Sequence, residues 1–178
     1  MSFGSLSLKG KALQCLSQRE HSRAELQKKL HRHTAQLRRQ SQATPGEGAE
    51  AATEDEVDAE NAKHSIDIEK VLDDLVAAGL QSDARTAESV ARSKSSRCGV
   101  HRLRQQLQAK GLEAELVAQT VSQARDTEFE RALNLWRRRF GEASQDQAQR
   151  ARQIRFLTAR GFDSDVVRRI VRGGLETD

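Results

Sequence analysis

Apolar side chains recur along this chain at intervals of three and four residues, the spacing that places them on one side of an α-helix. No segment shows the sustained alternation of apolar and polar residues that is typical of a half-buried strand. The pattern predicts helices over residues 6–18, 22–39, 66–78, 83–95, 100–110, 113–124, 127–140, 144–160 and 163–172. We therefore expect an all-α protein with nine helices.

The chain contains an internal repeat: residues 107–121 and residues 157–171 are similar and align without a gap. In each copy a glycine, Gly111 or Gly161, holds the place where a helix ends in a left-handed residue. The apolar residue that follows is positioned to fold back on the completed helix, and a fainter third copy covers residues 79–83. These copies predict tandem three-helix repeats, with domains at 1–80, 81–125 and 126–178.

Helix starts are indicated by local polar patterns. Residues 22–25 and 127–130 both fit the capping box, in which a hydroxyl and a carboxylate three residues apart each accept a backbone amide. Ser82 or Asp83 is expected to cap the fourth helix, and the segment that begins at Ser144 is expected to cap the eighth. The aromatic and apolar stripe that includes Trp136 is predicted to be core.

Residues 40–64 have the composition of an acidic, flexible insertion. Pro45 lies there with Gly46 and Gly48, and residues 47–60 carry seven acidic residues and no Lys or Arg. Three interpretations stay open: a solvated segment, a frayed helix start near residue 54, or a segment lying against the chain's own basic surface. Since residues 41–60 lack an apolar stripe, their deletion is predicted to leave the melting temperature nearly unchanged.

The rest of the chain is strongly basic. The 178 residues carry a net charge of +4, and setting aside the seven acids leaves 30 basic against 19 acidic residues, or +11. Such a surface favours a polyanion or an acidic protein as partner, although solubility alone is the other interpretation. An aromatic content of only 3% indicates a core of Leu, Val and Ala.

No pattern indicates catalysis, a metal or another cofactor. The segment from Gly4 to Lys11 has the wrong spacing for a phosphate loop, and the histidines at 21, 31 and 33 lack a helical metal-binding pair. Cys15 and Cys98 form no C-x-x-C motif, and neither a signal peptide nor a membrane span is evident. We expect a cytoplasmic protein that is not an enzyme.

Basic residues are therefore the candidates for binding a partner. Arginine matches planar carboxylate and phosphate groups, and it crowds the last third of the chain. The candidates are Arg102, Arg104, Lys110, Arg137, Arg138, Arg139, Arg150, Arg152, Arg155, Arg160, Arg168, Arg169 and Arg172.

Four segments in this order resemble the RecX family, regulators of the bacterial RecA recombinase. They are residues 8–30, which resemble the opening helix pair; 78–92, the central junction; 102–112, the basic helix of the middle repeat; and 152–162, the closing one. The resemblance covers nearly the whole chain apart from residues 40–64. The chain departs from the family in the length of that insertion and in lacking an aromatic residue at 85–88.

The resemblance implies three three-helix repeats bent into an elongated, curved arc that lies in the groove of a RecA–DNA filament. It implies inhibition of RecA ATPase, strand exchange and coprotease activity in DNA repair, recombination and the SOS response. The partner is then the RecA filament, with single- or double-stranded DNA inside it, and the chain is expected to be a monomer. The alternatives are a helical protein that binds DNA directly and a helical adaptor unrelated to recombination.

Overall fold

A computed structural model of the chain describes residues 7–42 and 54–173. Within these ranges all regular structure is helical, with nine α-helices and no strand. This confirms the all-α prediction. The helices are α1 (Leu8–Leu16), α2 (Arg23–Gln42), α3 (Glu54–Ala77), α4 (Asp83–Lys94), α5 (Val100–Ala109), α6 (Ala114–Arg125), α7 (Glu128–Phe140), α8 (Gln147–Thr158) and α9 (Ser164–Val171).

The helices are held together in triplets by three apolar clusters. The first cluster lies among α1, α2 and α3 and includes Leu30 and Leu72; the second lies among α4, α5 and α6 and includes Leu107. The third, among α7, α8 and α9, is built around Trp136 and Phe162. Full burial of such a side chain contributes about 1.5–3 kcal/mol, which is what fixes each helix in its triplet.

The chain divides into two compact units: unit 1 is residues 1–83 and unit 2 is residues 84–178. Unit 1 carries the first cluster, and unit 2 carries the second and third. The three domain boundaries expected from the sequence, at 1–80, 81–125 and 126–178, stay predictions.

The repeated glycine turns have the predicted conformation. Gly79, Gly111 and Gly161 have φ values of 67°, 70° and 77°, the left-handed region that glycine enters at low cost. In each turn the amide of the residue after the glycine donates a hydrogen bond to the carbonyl oxygen five residues earlier, as from Phe162 to Leu157 at 3.4 Å. Leu112 and Phe162 are also buried, whereas Leu80 is 48% exposed. The third copy therefore keeps the backbone turn without the apolar contact.

Helix α3 begins at Glu54, twelve residues before the start at residue 66 that the apolar pattern predicted. Acidic residues interact favourably with the positive N-terminal end of a helix, and Glu and Ala have high helix propensity. The acidic run is therefore helical from Glu54 onward, which agrees with the open interpretation of a helix start near residue 54. The expectation of a flexible insertion was wrong for residues 54–64. Residues 43–53, with Pro45 and the two glycines of the expected linker, lie outside the described residues.

The two predicted capping boxes have different outcomes. At α2 the box is present: Glu25 N donates to Ser22 Oγ at 3.1 Å, and Ser22 N donates to Glu25 Oε2 at 3.2 Å. At α7 the prediction was wrong, because Thr127 makes no cap hydrogen bond and its hydroxyl accepts instead from Arg131 Nε at 3.2 Å.

Two further helix starts show what their polar side chains contact, and the expected cap of α4 by Ser82 or Asp83 stays a prediction. Asp146, rather than Ser144, caps α8 by accepting the amides of residues 148 and 149 at 3.3 and 3.1 Å. Asp83 is the first residue of α4, and its Oδ1 accepts Arg23 N at the start of α2, 2.9 Å away. Local spacing predicts that a polar side chain caps a helix, but not which helix it reaches.

Candidate partner-binding surface

All thirteen predicted partner-binding residues lie in unit 2, on or directly after α5, α7, α8 and α9. Lys110 and Arg160 are partly buried, and the other eleven are exposed. Exposure on a helix is the usual condition of a charged residue, so it does not select a site. The selection comes from the contacts that bring some of these side chains together.

The contact that organises unit 2 joins two turns. Gly99 N, in the α4–α5 turn, donates a hydrogen bond to Arg160 O at 3.0 Å, and His101 N donates to Gly161 O at 3.0 Å. The backbones approach so closely that a Cβ on Gly99 would lie 2.2 Å from Phe162 Cα. These contacts place the first turn of α5 directly against the end of α8.

A buried carboxylate reinforces this junction. Glu128, the first residue of α7, is 1% exposed, and its Oε1 accepts Val100 N at 2.9 Å and Asp163 N at 3.2 Å. Val100 starts α5 and Asp163 caps α9, so the negative charge lies where the positive ends of three helices converge. The sequence pattern placed residue 128 only inside a capping box. It did not predict that this carboxylate accepts amides from the starts of two other helices.

Arg131, on α7, also belongs to the junction. Its Nη1 donates to Ser95 O at 2.6 Å and to Cys98 O at 2.8 Å, and its Nη2 donates to Ala124 O at 2.6 Å. Burial lowers the pKa of Arg131, and the negative charge of Glu128 opposes that effect. The guanidinium satisfies carbonyl groups that would otherwise be left without donors near the ends of α4 and α6.

Beside this junction lies a basic cavity of about 420 Å³, here called the junction pocket. Its lining residues are Lys94, Arg97, Cys98, Arg102, Gln106, Ala159 and Arg160. Four of the seven are cationic, and the described lining includes no carboxylate. A concave cluster of one charge raises the local concentration of oppositely charged groups.

Two arginines of the junction pocket have defined orientations. The Arg160 guanidinium lies 3.7 Å from the centre of the Phe156 ring and donates from Nη1 to Phe156 O at 3.0 Å. Arg102 Nη1 donates to Ala159 O at 3.4 Å. Because both groups retain unused N–H donors on a planar fork, they can accept a carboxylate or phosphate with less loss of side-chain freedom.

The sequence predicted Arg102 and Arg160 but missed Lys94 and Arg97. Both missed residues come just before the Cys98–Gly99 turn, at the end of α4 and beyond it. The sequence shows that both residues lie near the turn. Their approach to α8 depends on the turn-to-turn contact, which the sequence does not show. The junction pocket does not include the other eleven predicted residues.

Cys98 lines the same pocket as a buried thiol. It is 5% exposed, and its Sγ donates to Lys94 O at 3.4 Å. Burial raises the pKa of Cys98, although the positive charges of Arg131 and Arg102 act in the opposite direction. The raised pKa favours the thiol over the nucleophilic thiolate. The four cations of the lining, not this thiol, suit the pocket to an anion.

Several remaining candidates make contacts of their own within unit 2. The Arg169 guanidinium lies 4.6 Å from the Phe129 ring centre, Arg168 pairs with Asp165, and Arg150 Nε donates to Ser144 O at 2.7 Å. Such exposed pairs are each worth roughly 0–1 kcal/mol, so they leave the side chains available to a partner.

Over residues 7–42 and 54–173, no helix combines the length and apolar character needed to cross a membrane. The same part of the chain contains no group of three or more His, Cys, Asp or Glu side chains arranged to hold a metal ion.

Comparison with protein families gives two matches, both in unit 2. Residues 82–121 match the model described as "RecX, second three-helix domain", and residues 126–171 match "RecX, third three-helix domain". Both segments contribute to the junction pocket.

Similar proteins extend the comparison to nearly the whole chain. Regulatory protein RecX of Leptothrix cholodnii is 45% identical over 167 residues, which are 94% of this chain and 88% of that protein. Regulatory protein RecX of Ralstonia nicotianae is 39% identical over 168 residues, with the same coverage of 94% and 88%. Among solved structures, RecX from Lactobacillus salivarius matches with a TM-score of 0.65 at 18% identity, covering 94% of both chains. At that identity the likeness shows the fold.

Proposed function

Since this chain belongs to the RecX family of regulatory proteins, we propose that it binds a RecA–DNA filament through the basic surface of unit 2 and inhibits RecA. The observation that carries this proposal is the junction pocket, where Lys94, Arg97, Arg102 and Arg160 converge without a carboxylate among the described lining residues. A RecA–DNA filament offers both acidic protein surface and DNA phosphates to such a pocket.

The hydrogen bonds that join the helices of unit 2 suit a filament as partner. Backbone hydrogen bonds at the turn-to-turn contact and the Glu128 carboxylate hold α5, α7 and α9 at a fixed spacing. Cations on different helices are therefore presented at set distances, as a partner with a regular repeat requires. Individual exposed contacts contribute about 0.2–1 kcal/mol, and contacts made at the same time add through effective concentration.

Inhibition follows from occupation of the filament. A rigid body that contacts neighbouring RecA protomers hinders the changes in their relative position that accompany filament growth and ATP turnover. Bound chains would lower ATPase, strand exchange and coprotease activity together, since all three need an intact active filament. This makes the proposed role one of regulation in DNA repair, recombination and the SOS response.

The test is the single-strand-dependent ATPase of RecA, measured with and without this protein at substoichiometric amounts. We expect the ATPase rate to fall in proportion to added protein. Inhibition should weaken as salt is raised, because screening weakens the electrostatic attraction between the protein and the filament. No effect on RecA at any ratio would contradict the proposal and favour a helical adaptor. Equally tight, strongly salt-dependent binding to DNA without RecA, together with inhibition lost on excess DNA, would favour direct DNA binding.

A further inference from the structure

Unit 2 contains another cavity, whose lining is mainly apolar where that of the junction pocket is basic. It is a cavity of about 160 Å³ between the end of α7 and the end of α9, here called the α7–α9 pocket. Its lining includes Leu133, Trp136, Arg137, Glu142, Ile170 and Gly173. An apolar cavity of about 150 Å³ accepts a molecule the size of benzene, so the pocket has room for one apolar side chain.

Trp136 lines this pocket and has an unused hydrogen-bond donor. The side chain is 5% exposed, and within the described ranges no acceptor lies at hydrogen-bonding distance from its Nε1. A buried donor without an acceptor is unfavourable, and buried indole N–H groups usually have a partner. The pocket therefore suits an occupant that brings an apolar side chain and a carbonyl oxygen together, as a peptide segment does.

The end of α9 repeats the backbone turn that closes α5 and α8. Gly111, Gly161 and Gly173 have φ values of 70°, 77° and 85°, and their amides donate to the carbonyl oxygen three residues earlier at 2.8, 2.9 and 3.2 Å. In the first two turns the next residue is apolar and buried, because the left-handed glycine directs it back onto the helix. Leu80 follows a similar turn and is 48% exposed, so burial also needs a cavity beside the turn.

Leu175 is the first apolar residue after the turn at Gly173. Residues 174–178 lie outside the described residues, and Gly174 is the one residue between the turn and the leucine. Two residues of extended chain reach about 7 Å, and Gly173 itself lines the pocket, so Leu175 is within reach of it. A Cβ on Gly173 would meet nothing within 4 Å, so the space beside the turn is open.

Charge favours the same segment as the occupant. The last turn of α7 carries three exposed arginines, Arg137, Arg138 and Arg139. Glu142 offsets one of these charges and leaves this rim of the pocket cationic. Residues 174–178 contain Glu176 and Asp178 and no Lys or Arg, so the residues after the leucine are attracted to the rim.

We propose that residues 174–178 dock in the α7–α9 pocket of the same chain. Leu175 fills the cavity, and a main-chain carbonyl of the segment accepts Trp136 Nε1. The two acidic residues of the segment then face Arg137. Because Arg137 belongs to the surface proposed to face RecA, the docked segment competes with RecA for it, a consequence that rests on the proposed function.

Trp136 is the only tryptophan of the chain, so its fluorescence reports on this pocket alone. The experiment measures the emission maximum and the acrylamide quenching of the full chain in the absence of RecA. The test variant is Leu175→Ser, and Leu175→Met keeps an apolar occupant. Leu80→Ser is the matched control, because it removes the leucine that follows another glycine turn, in unit 1.

We expect Leu175→Ser to shift the emission to longer wavelength and to raise acrylamide quenching about twofold, because the indole loses its cover. Leu175→Met and Leu80→Ser should match the unaltered chain, and all four proteins should have the same helical circular dichroism spectrum. Equal emission and quenching in all four would overturn the proposal. Emission that depends on protein concentration would mean that the segment of a second copy fills the pocket, and would overturn a contact within one chain.

Nuclear magnetic resonance of the full chain with methyl-labelled leucine tests the contact directly. The Leu175 methyl resonances are identified by their loss in Leu175→Met. A nuclear Overhauser effect between these methyl groups and the Trp136 indole protons would support the docked segment. Its absence would count against the proposal even if the emission of the serine variant changed.

The acidic residues are tested by combining Glu176→Gln with Asp178→Asn. The control combines Glu88→Gln with Glu115→Gln, which removes the same charge from exposed positions elsewhere in unit 2. Quenching of Trp136 by iodide, relative to acrylamide, should rise in the first variant only, since the uncovered guanidinium attracts the anion. Equal ratios in the two variants would overturn the placement of the acidic residues.

The RecA ATPase measures the regulatory consequence. If the segment is docked half of the time, Leu175→Ser should inhibit about twofold more strongly than the unaltered chain, because the competent state is then always populated. Equal or weaker inhibition by Leu175→Ser would overturn the competition. If the unaltered chain does not inhibit RecA at all, the proposed function fails, and the fluorescence of Trp136 still decides whether the segment docks.

Discussion

The main-chain amide of Gly99 donates a hydrogen bond to the carbonyl oxygen of Arg160 across 3.0 Å, joining two turns that lie sixty-one residues apart. A Cβ at residue 99 would meet only backbone there: Phe162 Cα at 2.2 Å, Gly161 O at 2.3 Å and Phe162 N at 2.4 Å. Glycine is required at this position for close approach, since backbone cannot give way as a flexible side chain can. The junction pocket depends on that approach.

Gly99→Ala is therefore expected to destabilise unit 2. Separating the two turns breaks their backbone hydrogen bonds, and overpacking of this kind costs about 1–3 kcal/mol. The midpoint of urea unfolding should fall accordingly. Gly141→Ala is the matched control, because nothing lies within 4 Å of its Cβ position and only the strain of its φ of 78° remains. A smaller loss for Gly99→Ala than for Gly141→Ala would contradict the close packing of the turns.

Replacement of Glu128 tests the buried carboxylate. Glu128→Ala leaves Val100 N and Asp163 N without their acceptor, and each unsatisfied buried amide costs about 1–3 kcal/mol. We expect a total loss of about 3 kcal/mol in the free energy of unfolding. Glu128→Gln keeps an acceptor oxygen of the same shape and should lose clearly less. Equal losses for the two variants would mean that the hydrogen bonds to Oε1 contribute little.

Asp163 gives a prediction about pH. Its pKa is lowered from the usual 3.8, first because it accepts the backbone amide of Asp165, with the nearby His101 contributing. A lowered folded-state pKa means that the ionised group stabilises the fold above the unfolded pKa, and that this stability is lost as pH falls through the folded pKa. Asp163→Asn keeps a cap but cannot titrate.

Unfolding of the two proteins should therefore be compared below about pH 4. The free energy of unfolding of the unaltered chain should fall more steeply with acid than that of Asp163→Asn. Asp163→Ala should lose about 1 kcal/mol near neutral pH, since the cap of α9 is removed. Parallel acid dependence of the unaltered chain and the Asn variant would show that Asp163 is not a source of acid sensitivity.

The exposed arginines of α8 and α9 test the proposed docking surface. The variant replaces Arg152, Arg155, Arg168 and Arg169 by Ala. It should keep the helical circular dichroism spectrum and weaken inhibition of RecA ATPase by roughly tenfold or more, about 1.4 kcal/mol, because several small contacts are lost together. A control variant removes four arginines elsewhere, Arg38, Arg39, Arg85 and Arg92. If the α8–α9 variant inhibits as well as the unaltered chain, this face does not dock on the filament.

The junction pocket is tested through the two cations that the sequence did not indicate. Lys94→Gln with Arg97→Gln removes two charges from the pocket while leaving the turn-to-turn hydrogen bonds in place. Inhibition of RecA should weaken about fivefold, in line with two contacts of about 0.5 kcal/mol each. Arg85→Gln with Arg92→Gln, on the same helix, should have less effect. The measurement is the RecA ATPase rate in the presence of each variant. If the two variants inhibit equally well, the junction pocket is not part of the docking surface.

The sequence by itself determined the helices and the repeated turns. Apolar spacing and the glycines at 79, 111 and 161 act within a few residues, so the all-α fold and the left-handed turns were predictable. The same local logic predicted most helix ends to within a few residues. The apolar spacing placed the start of α3 at residue 66, whereas the helix begins at Glu54, in agreement with the alternative of a helix start near residue 54.

Only the tertiary structure decided which distant residues meet. A capping pattern could not tell that Glu128 would accept amides from two other helices, or that Arg131 would turn inward to three carbonyl groups. Charge counts identified a basic chain but not the junction pocket in which cations converge. The physical reason is range: helix formation depends on neighbours along the chain, whereas a binding site depends on the close approach of backbones that the sequence separates by tens of residues.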